Sequence, residues 1–214
     1  MPTGVIIAGG RSTRFGEEDK AVAELDGRPM IRRVADRIAG VVESLVVNCR
    51  EDQVEPIREA MRGYDHDVSF AVDPDPNQGP MAGIRNGLRA VDTEYAFVVA
   101  CDMPFVDPDI ASYLFDRAAD YDAAVVQLDD QWYQTTQAVY RAEAMADACD
   151  DALAAGKHKI LEPLFDLNYV VVEGTEIESV GSTETFENLN TREEFEAAAE
   201  RFADGESDSN YSGH

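Results

Sequence analysis

The chain has 214 residues, of which 44% are hydrophobic, so it can bury one sizeable core but is short for two domains. Its formal net charge of −25 at pH 7 argues against nucleic acid as a partner, because phosphate backbones are bound with Lys and Arg. We interpret the acidic surface as an adaptation to concentrated salt, which screens the mutual repulsion of carboxylates.

Short apolar runs rich in Val, Ile and Phe recur along the chain and predict buried strands. The predicted strands are Gly4–Ile7, Leu45–Asn48, Val68–Val72, Tyr95–Ala100, Ala123–Gln127, Gln137–Tyr140 and Tyr169–Val172. Segments with helical spacing separate most of them, among them Met30–Ala39, Gln53–Met61, Met81–Ala90 and Ile110–Ala119. This alternation predicts a three-layer α/β domain with a mostly parallel sheet.

One departure from the parallel pattern is expected between Gln127 and Tyr140, where the connection is too short for a crossover helix. We therefore predict one antiparallel excursion in the sheet. Asp107 before Pro108 and the Thr191/Glu194 capping box mark two helix starts. We expect a single domain over residues 1–203 and a disordered polar tail over 204–214, which lacks an apolar period.

The three cysteines at positions 49, 101 and 149 lack any paired metal-ligand spacing, so they suggest neither a disulfide framework nor a zinc site. We interpret them as small buried residues. No signal segment opens the chain and no apolar stretch is long enough to span a membrane. The expectation is a soluble protein of the cytoplasm.

A glycine loop with basic residues follows the first strand, in the segment 7–16, and Lys20 stands shortly after it. The loop lacks the spacing of a P-loop and of the dinucleotide-binding Gly-x-Gly-x-x-Gly pattern, so both are rejected. Arg11, Arg14 and Lys20 favour a triphosphate ligand at the carboxyl end of the strand. Residues 1–50 hold 8 Lys+Arg against 7 Asp+Glu, which favours an anionic ligand there over a chance fluctuation.

Asp102 follows the most apolar predicted strand and should emerge at the same edge of the sheet as the glycine loop. An aspartate at this position is often a helix cap. Beside a triphosphate its carboxylate suits Mg²⁺, which takes one or two protein carboxylates in addition to phosphates and water. Asn48 and Asp73 end neighbouring strands. They could bind a base or ribose, or they could be simple turn residues.

The order of the motifs resembles a known family. Ile-Ala-Gly-Gly-x-Ser-x-Arg-Phe-Gly with Lys20, Gly79–Gly83, Asp102-Met103-Pro104 and the late segment Asn188-Leu189-Asn190 stand in its order. The chain thus resembles the molybdenum cofactor guanylyltransferases, members of the nucleotidyltransferase class with a Rossmann-like sheet. The resemblance covers nearly the whole chain apart from the tail.

This resemblance implies roles for individual residues. The catalytic residues are Lys20, Asp102 and Arg14, and Asp102 also holds the metal. For GTP the resemblance implies Ile7, Ala8, Gly9, Lys20, Asn48 and Asp73, and to these we add Gly10, Arg11, Gly79, Pro80, Gly83 and Asp102 as expected contacts. The acceptor side holds Asn188 and Asn190, and Gln134-Thr135-Thr136 stands where many relatives have His-Pro-Thr. Gln134 and Lys157 are added to the acceptor side, although the segment with Lys157 is equally well a solvated loop.

The activity implied is Mg²⁺-dependent transfer of GMP from GTP to molybdopterin, the organic part of the molybdenum cofactor. Molybdoenzymes or cofactor-delivery proteins are further partners on this interpretation. Several alternatives stay open: a CTP-using cytidylyltransferase, a transferase acting on a cobamide precursor or a sugar phosphate, and a nucleotide-binding adaptor without chemistry. Pyrophosphate release distinguishes the enzymes from the adaptor.

Overall fold

Buried strands and amphipathic helices alternate along the chain, as their apolar patterns predict. The computed structural model describes residues 2–10, 19–74, 79–128 and 132–204. The strands are β1 (Thr3–Ile7), β2 (Glu24–Leu25), β3 (Arg28–Pro29), β4 (Ser44–Cys49), β5 (Asp67–Val72), β6 (Tyr95–Ala100), β7 (Ala123–Gln127), β8 (Tyr133–Arg141) and β9 (Tyr169–Glu173). The helices are α1 (Met30–Ile38), α2 (Val54–Ala60), α3 (Pro80–Arg89), α4 (Pro108–Ala118), α5 (Ala142–Ala154), α6 (Leu161–Phe165), α7 (Gly174–Glu178) and α8 (Arg192–Ala203). Short 3₁₀ helices span Glu51–Gln53 and Thr183–Phe186.

Seven of the described strands form one sheet in the order β5-β4-β1-β6-β8-β7-β9. Strand β1 lies inside this sheet and pairs in parallel with β4 and β6, with Ile7 opposite Asn48 on one side and Ala100 on the other. Strand β8 runs antiparallel to both of its neighbours, β6 and β7. The mostly parallel sheet and its antiparallel excursion are therefore confirmed.

Two apolar layers cover the faces of this sheet, because consecutive residues of a strand point to opposite sides. Val5 packs with α3 and α5, whereas its neighbour Ile6 packs with α1 and α4. In α1, Ile31, Val34 and Ile38 repeat at helical spacing and are fully buried. The sheet is thus the middle layer of three, as predicted.

A third apolar cluster ties the end of the chain to the β2–β3 hairpin. Phe105 and Phe202 stack with ring centroids 5.1 Å apart, and Leu25 and Phe195 belong to the same cluster. The guanidinium of Arg33 lies 4.1 Å from the centroid of the Phe202 ring. This cluster fixes α8, and with it the segment that precedes α8, against the edge of the sheet.

Element boundaries differ from the predicted ones by a few residues, and the largest difference concerns β8. This strand begins at Tyr133 rather than at Gln137, because its first residues pair with the end of β7. Asp107 and Thr191 cap α4 and α8 as expected. The predicted tail lies outside the described residues except for Asp204, the C-cap of α8. None of the described helices combines the length and the apolar character that a membrane span requires.

Candidate active site

The carboxyl ends of β1, β4, β5 and β6 meet around a cleft of about 620 Å³. The cleft lining contains Ile7, Ala8, Gly9, Gly10, Asp19, Lys20, Ala21, Asn48, Asp73, Gly79, Pro80, Ala82, Gly83, Ala100, Cys101, Asp102, Thr136, Asn188 and Asn190. The sequence predicts ligand contacts in four of these places: the glycine loop, the strand ends, the start of α3 and the late Asn-x-Asn segment. The fold brings them to one place because parallel strands deliver their following loops to the same edge.

A buried ion pair lies in this cleft. The Lys20 Nζ donates to Asp102 Oδ2 at 2.8 Å, and Lys20 is only 5% exposed. The second carboxylate oxygen, Asp102 Oδ1, is buried and has no hydrogen-bond partner among the described residues. Leaving such an acceptor unpaired is costly, so this oxygen is suited to a ligand.

A hard divalent cation fits this oxygen. Mg²⁺ binds through one or two carboxylates and completes its shell with water and substrate phosphates. In the described ranges, no group of three or more His, Cys, Asp or Glu side chains is arranged to enclose a metal ion. Asp102 is therefore the residue that could hold a metal together with a phosphorylated ligand.

A second polar group in the cleft joins β4, the end of β5 and α3. Asp73 Oδ1 accepts from Asn48 Nδ2 at 2.6 Å and from Asn86 Nδ2 at 2.8 Å. Asn48 also donates to the carbonyl of Ala71 at 3.1 Å, while its own Oδ1 is buried without a partner among the described residues. The group thus presents two acceptor oxygens, Asn48 Oδ1 and Asp73 Oδ2, beside the glycines of the cleft.

Two of those glycines are required by close approach. A Cβ at Gly9 would lie 2.5 Å from Asp73 Oδ2, and a Cβ at Gly83 would lie 2.6 Å from Asn48 Oδ1. Separations below 3 Å are not tolerated, so any side chain at these positions would displace the amide or the carboxylate. The glycines therefore keep the acceptor oxygens in place and leave the surface open to a ligand.

The segment predicted for the acceptor side is held by hydrogen bonds from two of its backbone amides. The Leu189 amide donates to the carbonyl of Asp102 at 3.0 Å. The Asn190 amide donates to Glu194 Oε2 at 2.5 Å, and this bond, with one from the next amide, lowers the pKa of Glu194. Asn188 and Asn190 thereby enter the cleft lining beside Asp102.

Two residues expected on the acceptor side do not line the cleft, namely Gln134 and Lys157. The register of β8 against β7 shifts between Val126 and Ala124, so the strand is irregular over residues 134–139. Gln134 pairs with Val126 in this part of the strand, and Thr136 lines the cleft instead.

The positive balance of the N-terminal fifth has a largely structural cause. Arg28 and Arg32 both bond to Asp36, and Arg33 bonds to Asp26. These side chains stabilise α1 and the hairpin, whereas Lys20 lines the cleft and Arg50 bonds to the glycine loop. The two predicted ligand contacts Arg11 and Arg14 lie outside the described residues.

The three cysteines are free and buried, as expected. Burial raises the pKa of Cys49 and of Cys149 to about 12, and it raises that of Cys101 as well. Their thiols are therefore protonated at neutral pH and are poor nucleophiles. Cys101 lines the cleft only as a small neutral group.

Sequence reasoning did not select Asp19, Asn86 or Thr136. Asp19 and Thr136 line the cleft, and Asn86 bonds to Asp73 from α3. Asn86 stands three residues after Gly83, almost one helical turn along α3, and this spacing was the available signal.

Comparison with known proteins gives consistent matches. The family model of the MobA-like NTP transferase domain matches residues 4–169. A probable molybdenum cofactor guanylyltransferase of Natronomonas pharaonis is 48% identical over 94% of this chain and 98% of that relative. One from Haloferax mediterranei is 36% identical over 92% and 93%. The crystal structure of molybdopterin-guanine dinucleotide biosynthesis protein A from Archaeoglobus fulgidus superposes with a TM-score of 0.78 at 27% identity, covering 94% of this chain and 99% of that one.

Proposed function

Because the chain belongs to the molybdenum cofactor guanylyltransferases, within the family of MobA-like NTP transferases, we propose that it transfers GMP from GTP to molybdopterin. A phosphate oxygen of the acceptor attacks the α-phosphorus of GTP. The bond from that phosphorus to the β-phosphate oxygen breaks, and pyrophosphate leaves with the electron pair. The attacking phosphate is already ionised, so no general base is required.

The observation that supports this proposal most directly is the unpaired Asp102 Oδ1 beside Lys20. Both reactants are anions, so the protein has to position them and offset their charge. Asp102 would hold Mg²⁺ through this oxygen, and the bound metal would neutralise charge on the phosphates. Lys20 supplies a second, fixed positive charge in the same wall of the cleft. The amides of Gly9 and Gly10 supply hydrogen-bond donors, and we assign Arg14 and Arg11 to the same phosphates.

The nucleoside is assigned to the acceptor oxygens of Asn48 and Asp73. Guanine has N–H groups at its edge and ribose has hydroxyls, and both kinds of donor need an acceptor when they are buried. The start of α3, with Gly79, Pro80 and Gly83, closes this side of the cleft. Since Gly83 cannot carry a side chain there, the helix backbone lies close to the nucleotide.

Asn188, Asn190 and Thr136 form the proposed acceptor side next to Asp102. Lys157 and its neighbour Lys159 are exposed, and within the described ranges their side chains have no carboxylate partner. Arginines such as Arg32, Arg89, Arg141 and Arg201 do have carboxylate partners. In a chain with 43 Asp+Glu and 18 Lys+Arg, two unpaired lysines are well suited to an anionic acceptor.

The packing of α3 on α5 supports a proposed contact between these lysines and the acceptor. Arg85 bonds to Asp150 at 2.9 Å and Arg89 bonds to Asp147 at 2.5 Å, so the two helices run antiparallel. The end of α5 therefore lies near the start of α3, where Gly79 enters the cleft lining. We propose that the unpaired lysines contact the acceptor from this rim, and that Gln134 lies further out on the same side.

The decisive experiment measures pyrophosphate release from GTP and, separately, from CTP, with Mg²⁺ and molybdopterin in concentrated KCl. GTP-dependent release is the expected result. Release from CTP alone would replace the proposal by the cytidylyl activity. Nucleotide binding without release from either would indicate a wrong acceptor or an adaptor that delivers cofactor. The proposal places the reaction in the cytoplasm, where free thiols persist, with molybdoenzymes or cofactor-delivery proteins as recipients of the product.

A further inference from the structure

Gln53 supports the glycine loop from behind, although it does not line the cleft. It lies at the end of the short 3₁₀ helix after β4 and is 1% exposed. Its Nε2 donates to the carbonyl of Ala8 at 2.9 Å and to Asp19 Oδ2 at 2.7 Å. The buried Gln53 side chain thus bonds to Ala8, which precedes residues 11–18, and to Asp19, which directly follows them.

Arg50 makes the same connection from the neighbouring position. Its Nη1 donates to the carbonyls of Gly9 and Gly10 at 3.3 and 3.1 Å, and its Nη2 donates to Asp19 Oδ2 at 3.3 Å. The backbone amide of Arg50 donates to Gln53 Oε1 at 2.9 Å, so the backbone of Arg50 helps to fix the Gln53 side chain. A planar guanidinium can serve several acceptors at once, which a lysine ammonium on its flexible stem does less well.

These contacts orient three consecutive carbonyls, those of Ala8, Gly9 and Gly10, towards one side. The described peptide bonds are all trans, so the N–H of each peptide points away from its carbonyl. The amides of Gly9 and Gly10 therefore point away from Arg50 and Gln53, and both glycines line the cleft. Neither amide donates a backbone hydrogen bond within the described residues. Successive amides that point the same way form a binding site for an anion.

Asp19 would otherwise oppose an anionic ligand, because its carboxylate belongs to the cleft lining. Its Oδ2 accepts from both supporting side chains, and its Oδ1 accepts from the Ala21 amide at 3.0 Å. The carboxylate is thereby compensated and held. The same contacts fix the backbone on either side of Lys20, whose ammonium pairs with Asp102.

We propose that Arg50 and Gln53 are positioning residues that direct the Gly9 and Gly10 amides and the Lys20 ammonium towards a triphosphate. The inference rests on the proposed function only in taking a nucleoside triphosphate as the ligand. Neither residue touches the ligand. Their effect is confined to phosphate binding, and the base and ribose contacts at Asn48 and Asp73 do not depend on them.

The test compares a probe without a base and a probe without phosphates. Binding of inorganic triphosphate and of guanosine is measured by calorimetry for the wild-type chain and for Gln53→Met, Arg50→Met and Arg50→Lys. Gln53→Met leaves the net charge unchanged, so a loss of triphosphate binding in this variant reflects the orientation of the amides and not a change in charge. The matched control is Arg62→Met, which removes an exposed arginine paired with Glu59.

Gln53→Met and Arg50→Met should each weaken inorganic triphosphate binding by about tenfold, the effect of losing well-placed hydrogen bonds, with guanosine binding unchanged. Arg50→Lys should not restore binding, and Arg62→Met should not alter it. Equal losses for both probes, or unchanged triphosphate binding, would overturn the inference. If Gln53→Met does not fold, the less buried Arg50→Met decides. Wild-type binding of triphosphate without guanosine or GTP would count against the proposed function alone.

Discussion

At the amino edge of the sheet, where the parallel strands begin, polar side chains bond to one another, whereas at the carboxyl edge buried oxygens have no partner. The Thr3 hydroxyl lies 3.1 Å from that of Ser44 and accepts from Thr93 at 3.0 Å. Arg141 pairs with Glu94 at the same edge. Each of these groups has a partner within the described residues, and Arg141 Nε, which is buried without a hydrogen bond, lies 3.3 Å from the carboxylate of Asp122.

At the opposite edge, Asn48 Oδ1 and Asp102 Oδ1 are buried without a hydrogen bond from any described residue. Folding an unpaired polar atom into the interior costs about 1–3 kcal/mol, so each such atom in a folded protein calls for an explanation. A ligand that donates or coordinates there removes the cost. We therefore interpret the unpaired oxygens at the carboxyl edge as atoms that lower the stability of the free protein and would be compensated by a bound ligand.

The largest expected effect comes from replacing a carboxylate by an amide at the carboxyl edge. The same replacement at the amino edge serves as the comparison. Asp102→Asn should lower the rate of pyrophosphate release by about a thousandfold or more, because it removes the negative charge that would hold the proposed Mg²⁺ beside the phosphates. The amide still offers an oxygen to Lys20, so the variant should fold. Steady-state rates and thermal unfolding measure the two properties.

The matched variant at the amino edge is Glu94→Gln, which weakens the exposed pair with Arg141. Its activity should equal that of the wild-type chain, since exposed ion pairs contribute little. Near-normal turnover of Asp102→Asn would remove that carboxylate from the mechanism. A comparable loss in Glu94→Gln would mean that the contrast between the edges has no functional meaning.

Two glycines of α3 sharpen the contrast within a single helix. A Cβ at Gly83 would meet Asn48 Oδ1 at 2.6 Å, whereas a Cβ at Gly87 would meet Val5 Cγ1 at 2.5 Å. Gly83→Ala should raise the KM for GTP by about tenfold, because it displaces an acceptor of the nucleoside site. Gly87→Ala should instead lower the free energy of unfolding by about 1–3 kcal/mol, the usual cost of overpacking, and leave KM unchanged. Identical effects of the two variants would argue against the assignment of Asn48.

The strand ends were predictable because long buried strands have a strong apolar signal, and the residues that follow parallel strands share an edge. Asn48 and Asp102 were found in this way. Thr136 was not singled out within Gln134-Thr135-Thr136, because this part of β8 is irregular against β7 and its register has no local sequence signal. Arg50 and Gln53 looked like ordinary residues near a helix start, since their bonds reach 31 to 45 positions along the chain.

The smallest expected effect concerns a carboxylate whose role is confined to stability. Hydrogen bonds from Arg89 and Arg85 lower the pKa of Asp150 below its ordinary value. A lowered pKa in the folded state means that the ionised carboxylate stabilises the fold. This contribution is complete above the unfolded pKa of about 3.9 and is lost as the pH falls through the lowered value.

Asp150→Asn should therefore reduce the free energy of unfolding at pH 7 by about 1 kcal/mol or less, because the side chain is 42% exposed and salt screens the pairs. The difference between the variant and the wild-type chain should shrink as the pH falls below about 4, where the wild-type carboxylate takes up a proton. Denaturant unfolding at several pH values measures it. A difference that does not change with pH would indicate a loss of packing rather than of charge. Unchanged KM for GTP would then show that the paired carboxylates of α5 stabilise the helix layer, while the unpaired oxygens of the cleft serve the ligand.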